Sequence, residues 1–328
     1  MADRPEIPVT IIIPAYLKNN QDVKWLEEAV TSAATQTVKV KVIIIENGSN
    51  ILEDVNGESV FIFHSDKGLS KARNFGIRKC ETEFFFPLDA NDWLPTSAIE
   101  TVYSKRAEKG FTYGSTVLFR GERGEGDQHL YTSKPYDFQE VMKMVYFPNG
   151  ALQRKADWEA VGGYRESLPF LEDWDYWMTC GEKGICGTAI YETIYWYRQH
   201  DDGLVSGNRN SQKWEEVKKI IQSLHRDIYK GVYPPMCCGN KNKATTSYTA
   251  PAAASLTPGA DGMLLIEYIG GNTGKMPWYG AFTKIRYTVS GIQRQFYIDA
   301  RDALTGSKAN PGFLEIVDHG NPLFKKVE

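Results

Sequence analysis

The feature that most constrains this chain is a β-branched run near its start, Val9-Thr10-Ile11-Ile12-Ile13, cut off by Pro14. Such a run is too short for a helix and apolar almost throughout, so it reads as a strand buried on both faces, the kind found where helices cover a parallel sheet. The segment after it agrees. Val23, Leu26, Ala29, Val30 and Ala33 recur at helical spacing, with Asp22, Glu27 and Glu28 toward the front. Val40 to Ile45 is a second apolar run, and strand, helix, strand makes a right-handed βαβ unit. Ser59 to Phe63 is a third strand, Leu69 to Cys80 a helix and Phe84 to Leu88 a fourth strand. In an open α/β sheet, ligands sit outside the carboxyl ends of the strands. Tyr16, Glu46 and the stretch Asp89 to Asp92 all fall there.

The stretch from Gly68 to Asp92 carries the chemistry of this half. A helix with Lys71 and Arg73 near its start, where backbone N–H groups already favour anions, is followed by a buried strand ending in Asp89-Ala90-Asn91-Asp92. Read alone, the cations are a solvated face and the acids a helix cap. Together they suit a cation-bridged diphosphate, because a hard divalent ion is often held by one or two carboxylates plus phosphate oxygens.

Further along, Pro95 fits the first turn of a helix that stops by Gly110, and Ser115 to Phe119 reads as a strand. Gly121 to Gly126 is a polar loop, Asp137 to Tyr146 a short helix, and Ala189 to Tyr197 a strand leading to His200. Glu172-Asp173-Trp174-Asp175 opens an aromatic helix running to Gly184. Acids at a helix start complement its dipole, but a carboxylate flanked by aromatics also suits a general base. Ser211 to Tyr229 is an amphipathic helix closing the domain.

Composition narrows the class. The chain has 328 residues, 42% hydrophobic and 24% charged, with a formal net charge of -3 and no polybasic block. A general electrostatic grip on nucleic acid or membrane is therefore not indicated. Cys80, Cys180, Cys186, Cys237 and Cys238 are odd in number and irregular in spacing, which argues for idle thiols rather than disulfides or zinc. No run reaches the ~18 apolar residues of a membrane span, so a soluble, cytoplasmic protein is expected.

From Pro234 the composition turns to Pro, Ala, Thr, Ser, Gly and Asn. The expected organisation is a catalytic-type domain over 1–233, a flexible linker over 234–262 and a small β-rich module over 263–328. The module carries eight cations against six acids, a weak footprint for reading DNA.

The ordered set Val9 to Tyr16, Ile45-Glu46-Asn47-Gly48-Ser49, Gly68 to Asn74, Leu88 to Asp92, Gly162-Gly163-Tyr164, Glu172 to Asp175 and Tyr197 to His200 closely resembles the family 2 glycosyltransferases of GT-A fold, over about residues 7 to 230. The resemblance implies an α/β, open, mainly parallel sheet flanked by helices, a nucleotide-diphosphate sugar donor with UDP the first choice, a Mn²⁺ or Mg²⁺ ion, and inversion at the anomeric carbon. On that pattern Ala15, Tyr16 and Glu46 line the nucleoside pocket, and Arg73, with Lys71 and Asn91, meets the donor. Asp89, Asp92 and His200 complete the metal or diphosphate site, with Asp92 as direct ligand. Asp173 is the general base, Glu172 its alternative, and Trp174 and Trp177 either shape the acceptor side or fill the core.

Two departures stand out: Glu46-Asn47 replaces the family's Asp-Asp, and Asn91 replaces an Asp. They motivate a rival expectation, a catalytically silent nucleotide-sugar-binding or assembly protein. Tyr268 to Asn272 and Phe296 to Asp302 resemble small bacteriophage-encoded β modules, which makes a glycan, a virion protein or modified DNA the candidate acceptors.

Overall fold

A computed structural model of the chain describes residues 4–52, 55–57, 59–121, 128–200, 211–234 and 236–238, and the backbone of seven short strands beyond. The chain divides into two compact units, Met1–Thr116 with Ser133–Ala244, and Val117–Thr132 with Thr245–Glu328.

The first unit is built on β1 (Glu6–Ala15), β2 (Lys39–Glu46), β3 (Val55–Asn56), β4 (Val60–His64), β5 (Phe84–Pro87) and β8 (Gln153–Arg154). Their order across the sheet is β3-β4-β2-β1-β5-β8. β1 pairs in parallel with β2 and β5, and β2 with β4, while β3 and β8 close the edges antiparallel. The double-sided burial expected of the first strand holds. Ile11 and Ile13 join Leu26, Ala29 and Ala33 of α1 (Asn20–Ala34), with Ile99 and Val102 of α3 (Ala98–Ser104), on one face of the sheet. Ile12 joins Ala72 and Ile77 of α2 (Leu69–Lys79) on the other. Gly76 permits that second contact, because a Cβ there would lie 2.7 Å from Ile12 Cγ2.

From β1 the chain first extends the sheet through β2 and β4, then returns with β5 on the other side of β1. This reversal opens a crevice at the carboxyl ends of β1 and β5. Helices α4 (Phe138–Lys143), α5 (Lys155–Val161), α6 (Glu172–Glu182), α7 (Gln212–Leu224) and α8 (Arg226–Tyr229), with β9 (Gly187–Arg198), complete the unit. The single helix expected over Ser211 to Tyr229 is thus two, broken at His225.

The expectation for the cysteines is corrected. Cys186 and Cys238 form a disulfide, Cα–Cα 5.8 Å, while Cys80, Cys180 and Cys237 are buried free thiols. The odd count hid one pair separated by 52 residues. Of the two roles open to Trp174 and Trp177, the core is the one their complete burial matches, and Trp174 Nε1 donates to the Val141 carbonyl at 2.6 Å, tying α6 to α4.

In the second unit, β6 (Phe111–Phe119) ends and β7 (Gln128–Tyr131) follows. There β12 (Arg286–Val289) pairs in parallel with β7 and antiparallel with β11 (Met276–Tyr279). A three-stranded set runs β13-β10-β16 (Gln295–Asp299, Met263–Tyr268, Phe324–Lys326), and β14 (Val317–Asp318) pairs with β15 (Asn321–Pro322). The expected loop 121–126 beyond Gly121, most of the linker, and the residues 269–272 and 300–302 that carried the phage resemblance lie outside the described residues.

Candidate active site

The crevice is a cavity of about 480 Å³. One side comes from the end of β1 and the start of α1, with Pro14, Tyr16, Lys18, Asp22 and Trp25, and from Asp89 to Asn91 after β5. Asn19 caps α1 by accepting from the Gln21 and Asp22 amides, and Asp22 in turn accepts from the Lys18 amide at 2.7 Å. Glu172, Asp173 and Trp214 supply a second wall, and Tyr197 and His200 come from the end of β9, with His200 beside Asn91 and Trp25.

Arg73 joins the two walls. It is 2% exposed, with Nη2 2.7 Å from Asp89 Oδ1 and Nη1 on Glu172 Oε1. Burial by itself would lower the guanidinium's pKa, but the two carboxylates outweigh it and hold the group well above its usual value. Residues 99 positions apart in sequence are thereby fixed across the cavity floor.

Asp173 follows at the first turn of α6. Leu171, just before it, is a non-glycine residue in the left-handed region at φ 59°, so the backbone enters this helix under strain of the kind that marks functional turns. Asp173 is half-buried and accepts from the Trp174 amide at 2.8 Å. Burial, then the neighbouring Glu172 charge, push its carboxyl up to about 7, against the opposing pull of Arg73. A carboxylate poised there suits general-base work near neutral pH.

Asn91 Nδ2 and His200 Nε2 lie 2.9 Å apart, and the His200 ring packs on Trp25 at 5.1 Å. Asp92, by contrast, is 1% exposed and outside the cavity lining. It accepts from Tyr195 Oη at 2.9 Å and from the Arg198 amide at 2.7 Å, locking the end of β9 to the end of β5. Burial, then the Asp89 charge, raise its pKa well above the usual range.

Ala15, Glu46 and Lys71 also fall outside the lining. Ala15 is wholly buried. Glu46 is buried at the end of β2 and accepts from Ser49 Oγ, His64 Nδ1 at 3.1 Å and the Gly48 amide at 3.3 Å. Burial works against its charge, but these donors prevail and hold the carboxyl below its usual pKa. Lys71 is partly exposed, 3.9 Å from Asp66. Tyr16, Arg73, Asn91, Asp89, His200, Glu172 and Asp173 do line one cavity. Lys18 before α1, Asp22 and Trp25 of α1, Met144, Val145 and Phe147, and Trp214 line it as well and were not anticipated, because their helical or loop patterns carry no chemical signature; Pro148 and Asn149 belong to a loop that the sequence reading ties to sugar and acceptor choice.

The family described as Glycosyl transferase family 2 matches residues 10–159. The matched segment includes the cavity residues from Pro14 to Asn91 and from Met144 to Asn149, and ends before Glu172 and Asp173. Residues 10–159 belong to glycosyl transferase family 2. The chain is 26% identical over 156 residues to glycosyltransferase GlyA of Streptococcus pneumoniae serotype 4, covering 42% of this chain and 21% of that protein. It is 26% identical over 241 residues to chondroitin synthase of Escherichia coli, covering 70% and 34%. It thus spans about a third or less of the length of these curated relatives. Staphylococcus aureus TarS 1-349, solved in complex with UDP-GlcNAc, superposes with a TM-score of 0.50 at 14% identity, over 66% of each chain. The shared fold is the GT-A type.

The side chains that could offer donors to a divalent cation are few. Among the described residues no group of three or more His, Cys, Asp or Glu side chains gathers to hold a metal. Asp89 gives one carboxylate, Asn91 a neutral carbonyl oxygen and His200 an imidazole. An ion held by so few protein groups would draw its remaining oxygens from a diphosphate.

Proposed function

We propose that this protein is an inverting glycosyltransferase that moves a sugar from a nucleoside-diphosphate sugar, UDP in the first instance, to an acceptor hydroxyl. One observation supports it above the others: Asp173, raised to about 7, stands in the same cavity as the Arg73 clamp, Asp89 and Asn91, at the switch point of the sheet.

The acceptor hydroxyl proton passes to the Asp173 carboxylate as the acceptor oxygen bonds to the anomeric carbon. The bond from that carbon to the diphosphate breaks on the opposite face, and the electron pair leaves on the diphosphate. Attack and departure on opposite faces invert the centre. Arg73 keeps its charge throughout, so it favours the leaving anion without reorganising. At an effective dielectric of ~20, unit charges ~4 Å apart attract by roughly 4 kcal/mol. Glu172 draws on the same guanidinium, which leaves Asp173 as the carboxylate available to take a proton. A divalent cation, Mn²⁺ or Mg²⁺, bound through Asp89, Asn91 and His200 would neutralise the diphosphate further. Asp92 acts behind them, holding β5 to β9 through Tyr195 and Arg198. Residues 263–328 are assigned to acceptor binding or assembly.

Turnover of a panel of nucleotide sugars with Mn²⁺ tests this reading. Wild type is expected to release nucleoside diphosphate, and Asp173→Asn to lose about 10²- to 10⁴-fold of that rate. Equal turnover by both would contradict the base assignment, and donor binding without turnover across a broad acceptor panel would favour a silent binder.

A further inference from the structure

We infer that Arg198, which lies outside the cavity lining, is a positioning residue for the nucleotide donor: its side chain sets Trp25 and Asn91, two lining residues from different elements, in the arrangement that receives a nucleoside diphosphate; the proposal rests on the transferase reading above. Strand alternation puts it there. Tyr195 and Tyr197, two apart on β9, both line the cavity, and Arg198 falls on the other side of the strand, 1% exposed. A guanidinium taken out of water is costly unless its N–H groups find partners.

The partners come from two elements. Nε donates to the Asn91 backbone carbonyl at 2.8 Å, just after β5. Nη2 donates to Glu28 Oε2 of α1, and the guanidinium carbon lies 5.2 Å from the centre of the Trp25 ring, one helical turn before Glu28. The Arg198 amide is the one that Asp92 already holds, so the side chain starts from a fixed backbone.

Both groups held in this way face the cavity and meet at His200. The His200 ring is 5.1 Å from Trp25, and its Nε2 is 2.9 Å from Asn91 Nδ2. Arg198 thus spans the back of a corner drawn from α1, the turn after β5 and the end of β9. The shape of its head group decides how well it does so. A planar guanidinium aims Nε and Nη2 at two partners and lays its face on an indole, whereas an ammonium is a point charge on a flexible stem. Lysine at this position would keep a charge beside Glu28 and lose the fixed line from Asn91 to Trp25. A corner ordered in advance binds its ligand without the cost of ordering itself. The base stands apart from this device: Asp173 belongs to α6, and its carboxyl is set chiefly by burial, Glu172 and Arg73.

Calorimetry of UDP with Mn²⁺ on the full chain tests the assignment in wild type and three variants. Arg198→Lys is expected to raise the UDP Kd at least tenfold. Glu28→Gln, which keeps the guanidinium and removes its carboxylate on α1, is expected to raise it at least threefold. Arg154→Lys controls for a general loss of packing, because Arg154 bonds Glu83 and the Ala107 and Glu108 carbonyls and lies outside the cavity lining; its Kd is expected within twofold of wild type. The pH midpoint of the turnover that Arg198→Lys retains is expected to match wild type, since the base is untouched. An unchanged Kd in Arg198→Lys, or in Glu28→Gln should the first variant not fold, overturns the proposal. An equal rise in Arg154→Lys, or a displaced pH midpoint, overturns it as well. Wild type that binds no UDP counts against the transferase reading, whereas wild type and Arg198→Lys that bind UDP equally well defeat this proposal alone.

Discussion

Arg73 touches both halves of the site, and its two carboxylate partners differ in what they leave behind. Asp89 keeps a face toward the cavity, while Glu172 is spent on the guanidinium and on raising its neighbour. That division decides the pH behaviour of Asp173. Its carboxyl is raised, so the basic form needed for proton removal is scarce below about 7 and dominant above it. The expected kcat/KM therefore climbs roughly tenfold per pH unit below about 7 and levels off above it, measured at fixed saturating cation. A profile flat from pH 5 to 8 would show that another group takes the proton. At this scale the sequence was most legible where a residue type announces its chemistry, as with Asp173, Arg73 and Asp89. It was least legible for Glu46 and Asp92. Both are acids at strand ends, yet their charge is consumed by Ser49 and His64 in one case and by Tyr195 and Arg198 in the other, partners that no local spacing reveals.

Two elements carry the second wall, and each has its own lock. The Cys186–Cys238 bond fastens the last described residues of the first unit to the turn between α6 and β9, where the Cys238 amide also donates to the Gly181 carbonyl at 2.8 Å. Cross-linking a loop of this length restricts the unfolded chain, so Cys186→Ser is expected to cost about 2–5 kcal/mol in a urea titration under oxidising conditions. Equal midpoints would show that the bond adds nothing. The second lock is His225, at the break between α7 and α8, with its ring nitrogens 3.1 Å from Asp175 and from Glu182 of α6. Burial alone would lower its pKa, but these carboxylates raise it from 6.5 to about 9. A raised pKa means that the folded state holds the proton more tightly. The stabilisation, roughly 3 kcal/mol by linkage, is fully present below pH 6.5 and is lost as pH rises through about 9. Denaturation midpoints should fall across that window in wild type and stay flatter in His225→Gln; parallel curves would remove His225 from the account. The sequence placed α6 and the amphipathic segment well, because their 3.6-residue periodicity is local. It missed the break and the bond, because both depend on partners dozens of residues away.

For the whole molecule, the first unit follows from one early observation. A run apolar on both faces, Val9 to Ile13, requires helices above and below, and that arrangement creates a switch point at the carboxyl end of β1. The sheet order and the family match over residues 10–159 follow the same logic. The second unit was less legible in the sequence. Its strand runs are short, and it recruits Val117–Thr132 from the middle of the chain, a partnership with no sequence signal. The account stands on the claim that the first unit performs inverting transfer at the cavity. A proton nuclear magnetic resonance time course with an α-linked UDP-sugar, Mn²⁺ and a neutral aryl glycoside reads this directly from the anomeric coupling of the first-formed product. The account predicts a β-linked product formed by wild type and suppressed in Asp173→Asn. An α-linked product, or a β-linked product formed equally fast by Asp173→Asn, would contradict it.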